Sequence, residues 1–113
     1  MPYINTITNV KVTDEQANNI KSRFGKAIEV FPGKSEAWLM VGIKDDYKLY
    51  FRGSDEPCAF VNVSIFGSLN SDSCQKMTAL VCDILSEELP LSADRIYVKY
   101  DSSTDWGWNG SNF

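Results

Sequence analysis

The chain has 113 residues, 43% of them apolar, and 11 basic against 15 acidic side chains give a net charge of −4. That is enough chain to bury a core without a disulfide or metal staple, and the acidic balance argues against nucleic acid or an anionic membrane as partner. Histidine is absent, which removes Ser-His-Asp and Cys-His hydrolysis, HExxH zinc proteases and imidazole metal sites together.

Residues 3–9 are short and rich in Ile and Thr, a strand signature. Thr13 and Gln16 then form a capping box, and Ala17, Ile20, Phe24, Ala27, Ile28 and Phe31 follow at helical spacing until Pro32-Gly33. Residues 38–43 are apolar without alternation, which predicts a strand buried on both faces. Asp45-Asp46 turns the chain into a short hairpin arm over 47–51. Ala59–Phe66 alternates, with Val61, Val63 and Ile65 on one face. Asp72 with Gln75 offers a second helix cap, followed by Cys74, Met77, Leu80, Val81, Ile84 and Leu85 at helical spacing. Pro90 ends that helix, and residues 95–100 form a last alternating strand. Tyr97 and Lys99 share one of its faces, and Ile96, Val98 and Tyr100 the other.

The two halves repeat. First strands begin 55 residues apart (58 − 3) and second strands 57 apart (95 − 38), which predicts tandem βαβ units in one α/β domain over 1–113. Right-handed crossovers place both helices on one face of a four-stranded mixed sheet. The other face is left bare. A strand as apolar as 38–43 should not meet water there, since each buried Leu or Met is worth roughly 1.5–3 kcal/mol. An obligate oligomer is expected to cover it.

With histidine gone, any acid or base must be a carboxyl, lysine, tyrosine, thiol or the terminal amine. Pro2 is one candidate. Removal of Met1 would leave a secondary amine, which titrates near neutrality when desolvated or beside a cation. Against this, many chains simply begin Met-Pro. Lys34 after Gly33 is read first as a cation at a helix C-terminus. Trp106, Trp108 and Phe113 make an aromatic tail that should pack on the core or another subunit, or wall a pocket. Asn109-Gly110-Ser111 reads as a turn. Three cysteines with no CxxC spacing (Cys58, Cys74, Cys82) indicate a reducing compartment, with Cys58 and Cys82 as small buried hydrophobes. No leader or long apolar run is recognisable. A soluble cytoplasmic protein is expected, without membrane insertion, or one released by a leaderless route.

Together these blocks resemble the macrophage migration inhibitory factor family of the tautomerase superfamily. The resemblance rests on Met1-Pro2, Gly33-Lys34, Ser54-Asp55-Glu56-Pro57-Cys58-Ala59, Asp94-Arg95-Ile96-Tyr97-Val98 and Gly107-Trp108-Asn109-Gly110-Ser111-Asn112-Phe113. It implies a homotrimer whose three sheets form a barrel with the helices outside, and sites between neighbouring subunits. It implies Pro2 as the general base for keto–enol transfer in an α-keto acid such as phenylpyruvate, with no metal or other cofactor. Lys34 would hold the substrate carboxylate, Ile65 and Phe66 would line the site, and Tyr97 of the adjacent subunit would close it. Tyr3, Trp38, Lys99, Trp106, Trp108 and Phe113 are the outer lining candidates. This chain departs from the family at Lys99, where an Asn is usual, and at Val61, where mammalian members complete a Cys-x-x-Cys. The family also supports a cytokine-like protein that binds a receptor and keeps a vestigial pocket, but the presence of Pro2, Lys34 and Tyr97 together favours the enzyme. A plain structural oligomer is the third reading.

Overall fold

The capping box starts helix α1 (Asp14–Ala27): Thr13 Oγ1 accepts the Gln16 N–H at 3.1 Å, and the Gln16 side chain accepts the Thr13 N–H at 2.9 Å. The computed structural model describes residues 1–112. A 3₁₀ turn over Ile28–Val30 follows the helix, so Phe31 lies beyond it yet remains buried in the core. Helix α2 (Ser71–Glu88) starts on a different residue from the expected one. Asn70, not Asp72, is its cap, with Asn70 Oδ1 accepting the Ser73 N–H at 3.1 Å. Asp72 stands instead in the first turn, where a carboxylate suits the helix dipole.

Strands β1 (Pro2–Thr8), β2 (Met40–Lys44), β3 (Ala59–Phe66) and β4 (Ile96–Ser103) form one sheet in the order β2-β1-β3-β4. β1 and β2 are parallel, β3 and β4 are parallel, and the two inner strands run antiparallel. These are the two expected βαβ units. Ile4 on β1 and Val61, Val63 and Ile65 on β3 pack with Ile20 and Phe24 of α1 and Met77, Val81 and Leu85 of α2. Both helices therefore cover one face, and Arg23 of α1 spans to Glu87 and Glu88 of α2 at 2.7 and 3.1 Å.

The segment 38–43 corrects the sequence reading. Trp38 closes a 3₁₀ turn (Glu36–Trp38), β2 begins only at Met40, and it is an edge strand. Val41 and Ile43 stand in register with Ile4 and Thr6 on the helix side, while Met40 aligns with Tyr3 on the open side and is 68% exposed. The open face also carries Asn5, Asn62, Ser64, Lys99 and Asp101. With Tyr3, Ile7, Phe60 and Tyr97 also on it, this face mixes apolar and polar side chains, and β2 contributes only Met40 to its apolar part. Gly42 is needed here: a Cβ would sit 3.2 Å from both the Tyr3 hydroxyl and Asn5 Oδ1, and its absence lets Tyr3 lie across β2.

The hairpin arm at 47–51 does not form a strand; a single bridge, Phe51 to Ser54, is made. Side chains hold this loop instead. Asn9 Nδ2 donates to the carbonyls of Leu49, Asp55 and Glu56, and Arg95 donates to those of Phe51, Ser54, Glu56 and Pro57. Among the described residues no helix is long and apolar enough to cross a membrane.

Candidate active site

Pro2 opens β1, is buried, and pairs with Ile65 across the inner strand junction. With Met1 in place its nitrogen is a tertiary amide without basicity. The Met1 carbonyl accepts the Phe66 N–H at 2.9 Å, and its terminal amine lies near enough to Lys34 to feel that charge. Burial lowers the pKa of that amine below its ordinary value, and the charge and hydrogen bond of Lys34 lower it further.

Lys34 reaches this point because of the chain reversal before it. Gly33 has φ +77°, a left-handed conformation that glycine adopts without strain, and the Lys34 N–H closes the turn onto Phe31 O at 3.1 Å. Lys34 Nζ then donates to Phe66 O at 3.0 Å and lies 5.5 Å from the centre of the Phe66 ring.

Pro2 and Tyr3 border a cavity of about 760 Å³ whose other walls include Trp38, Met40, Trp106 and Trp108. Lys34, Ile65 and Phe66 border a second cleft of about 420 Å³. Met1 lines the first, and its amine feels the charge of the lysine that borders the second. The Ile65 side chain belongs to the core, at 1% exposure. The outer wall is a local product of the tail: Asn109 and Gly110 both have positive φ (53° and 90°), the requirement of a type I′ turn. That turn folds β5 (Gly107–Trp108) against β6 (Ser111–Asn112). Trp108 thereby meets Trp38 edge-on, with ring centres 5.3 Å apart and planes at 90°.

Tyr97 is elsewhere. It is exposed, rests on Phe51 with ring centres 4.9 Å apart, and pairs in register with Phe60. The Pro2 level of the sheet is reached at Ser102, five residues along β4, about 16 Å away at strand rise. Lys99 lies between these levels on the open face, opposite Asn62. One chain therefore assembles Pro2, Tyr3, Trp38, Trp106 and Trp108, with Lys34, Ile65 and Phe66 beyond Met1, and leaves Tyr97 and Lys99 apart. Phe113 lies outside the described residues.

The family model for macrophage migration inhibitory factor (MIF) matches residues 1–113. The chain belongs to the MIF family. Over its whole length it is 30% identical to the Xenopus laevis macrophage migration inhibitory factor, covering 99% of that protein. It is 31% identical to the Mus musculus protein over 72% of each chain. Among solved structures, Leishmania major MIF2 superposes with a TM-score of 0.94 at 33% identity, over 100% of this chain and 97% of that one. The MIF homologue of Prochlorococcus marinus gives 0.84 at 28% identity, over 98% of each. This places the chain in the tautomerase superfamily and accounts for the mixed sheet and paired helices.

Among the lining residues of the larger cavity that a reading of the sequence does not single out are Met40, Asp101 and Asp105. β4 runs to Ser103, past the expected end at Tyr100, and so carries Asp101 onto the face of Tyr97 and Lys99. Continued alternation is the signal that could have found it, although Asp-Ser-Ser is a poor strand sequence. The thiols stay quiet. Cys58 is buried, and burial raises the pKa of Cys74 and Cys82, where Asp83 adds to the effect at Cys82.

Proposed function

We propose that the protein, once Met1 is removed, is a keto–enol tautomerase for phenylpyruvate-like α-keto acids, with Pro2 as the base. The observation that carries this reading is the nearness of the chain terminus to Lys34: the Met1 amine, one residue before Pro2, has a depressed pKa, from burial first and Lys34 second, and a Pro2 amine would start from the same surroundings. A base that is neutral near pH 7 is what proton transfer from carbon requires. Removal of Met1 exposes the Pro2 nitrogen and vacates the space between the cavity and the Lys34 cleft. It also releases the Phe66 N–H from the Met1 carbonyl, which stands where a substrate oxygen would accept.

In the reaction Pro2 nitrogen takes a proton from the carbon beside the ketone. The C–H electron pair becomes the enol double bond, the carbonyl π pair moves to oxygen, and the proton is delivered to that oxygen. Lys34 holds the substrate carboxylate and keeps the amine neutral between turnovers. Ile65 and Phe66 line the inner end through backbone, and the aryl group lies against Tyr3, Trp38, Trp106 and Trp108. Tyr97, too far from Pro2 in its own chain, completes the site of a neighbouring subunit in a homotrimer, with Lys99 beside it. The reaction needs no metal or organic cofactor.

The test is ketonisation of enol-phenylpyruvate, followed by ultraviolet absorbance, on protein whose intact mass shows Met1 removed. Turnover that collapses in Pro2→Gly is the expected result. A processed, trimeric sample without turnover would overturn the reading in favour of a receptor-binding protein with a vestigial pocket.

A further inference from the structure

Two turns of this chain share a backbone conformation and differ in residue. The first joins β5 to β6 through Asn109-Gly110, at φ 53° and 90°. The second is Arg52-Gly53, at φ 54° and 71°, between Phe51 and Ser54, whose backbones exchange hydrogen bonds at 2.9 and 3.0 Å. Both are two-residue hairpin turns with left-handed central residues, the arrangement that favours Asn-Gly. Asn109-Gly110 follows that preference. Arg52 does not: its Cβ crowds the following carbonyl, and it lacks the short polar side chain that lets asparagine tolerate this region.

A disfavoured backbone persists only where its surroundings fix it. Here Arg95 does so, donating to Phe51 O and Ser54 O at 3.2 and 3.1 Å. That holds the turn, but it gives no reason for an arginine at 52. The reason lies in the side chain. The Arg52 guanidinium carbon sits 5.1 Å from the centre of the Phe51 ring, and among the described residues it forms no ion pair or hydrogen bond. The same ring meets Tyr97, with centres 4.9 Å apart and planes at 68°, and Tyr97 is 61% exposed. Arg95 also approaches the ring, at 5.3 Å, but its donors are committed to backbone carbonyls. Arg52 serves the ring alone.

We propose that Arg52 is a positioning residue: its side chain braces the Phe51 ring, and the braced ring holds Tyr97 in the orientation in which it enters the neighbouring subunit's site. This deepens the tautomerase reading and rests on it for the part Tyr97 plays there. The brace itself stands on the turn and the ring contacts. Without it Tyr97 spends part of its time in other rotamers, and apparent substrate binding weakens by the fraction lost. The loss is bounded by the strength of one exposed cation–π contact, about 2- to 5-fold.

The experiment uses Met1-processed protein. Arg52→Asn gives the turn its favoured residue and removes the brace. It should unfold at a urea concentration no lower than the native protein, yet lose about 2- to 5-fold in kcat/KM for phenylpyruvate, mostly through KM. Arg52→Lys keeps a cation on the ring in the same disfavoured backbone, and should recover most of the activity without gaining stability. Activity and stability then run in opposite orders, which a purely structural arginine would not produce. In a Phe51→Leu background Arg52→Asn should have little further effect, because the brace acts through the ring. NMR reads the brace without turnover: the Tyr97 χ1 couplings should move towards rotamer averages in Arg52→Asn. Unchanged couplings, or an Arg52→Asn loss that persists undiminished in Phe51→Leu, overturn the brace. Averaged couplings with a native KM overturn its link to the site. If the native protein shows no turnover while the couplings average as expected, the brace stands and the tautomerase reading falls.

Discussion

The two ends of the sheet are built in opposite ways. At the Tyr97 end, Asn9 and Arg95 fasten the loop before β3 by its carbonyls, and the Asn9 side chain also accepts the Cys58 N–H at 2.9 Å. Phe51 lies there between Tyr97 and two guanidinium groups, with Arg95 5.3 Å and Arg52 5.1 Å from its ring centre. At the Pro2 end there is a cavity with aromatic walls and few polar ties. The difference separates two tasks: the first end presents a rigid tyrosine outward, and the second keeps an open space around the terminus. A site needing both Pro2 and Tyr97 must therefore be made by two chains, each offering the opposite end.

That division can be broken most visibly by mixing. Pro2→Gly and Tyr97→Ala are each expected to lose most turnover. Co-refolded in equal amounts, they should regain about a quarter of the native sites, those pairing an intact Pro2 with an intact Tyr97. Recovery no better than the sum of the separate variants would place both residues of a site in one chain, against the geometry.

The fastening is the next target. Arg95→Ala removes four carbonyl partners and the contact with Phe51, and should cost about 2–3 kcal/mol in urea unfolding. Limited proteolysis should then cut within 47–58. A loss below about 0.5 kcal/mol would show that the loop holds itself. Away from both ends, Tyr100 donates to Cys74 O at 2.9 Å and shares a 2.6 Å hydrogen bond with Thr78, while burial pushes its pKa up to about 12. Tyr100→Phe should therefore cost about 1 kcal/mol, with little effect at either end.

The smallest effect concerns charge at the terminus, in protein that keeps Met1. The folded amine has a pKa below 8.0, so between that value and 8.0 the unfolded chain binds more protons and stability rises with pH. Lys34→Gln should raise the amine pKa and flatten that rise. Burial is the larger cause, so the pKa should still stay below its ordinary value. NMR titration of the terminus reads this directly. A pKa unmoved by the substitution would remove Lys34 from the explanation.

Local signals were the legible ones. Thr13-x-x-Gln16 caps α1 through neighbouring atoms, and the alternation of Val61, Val63 and Ile65 needs only a covered face. Asn109-Gly110 fixes its turn by φ alone. What the sequence hid depends on neighbours. The run 38–43 looks like a buried strand, but its first residues are bent into a 3₁₀ turn and the rest lies on an edge, where Met40 and Val41 face opposite ways. Pro2, Tyr3, Trp38, Trp106 and Trp108 were legible as a set through family resemblance, and the fold does gather them around one cavity. Asp101 and Asp105 were not, because nothing in their own stretch says which wall they meet.

The pairing order of the strands carries one more consequence. Each βαβ unit supplies one inner and one outer strand, and among the described residues the ladder joining the units is β1 with β3, seven residue pairs from Pro2–Ile65 to Thr8–Ala59. A chain severed between 45 and 57 would yield two halves, each with a full row of unpaired amides and carbonyls along what had been the middle of the sheet. Such edges template association. The halves should find each other or precipitate, and neither should persist in isolation as a soluble fragment.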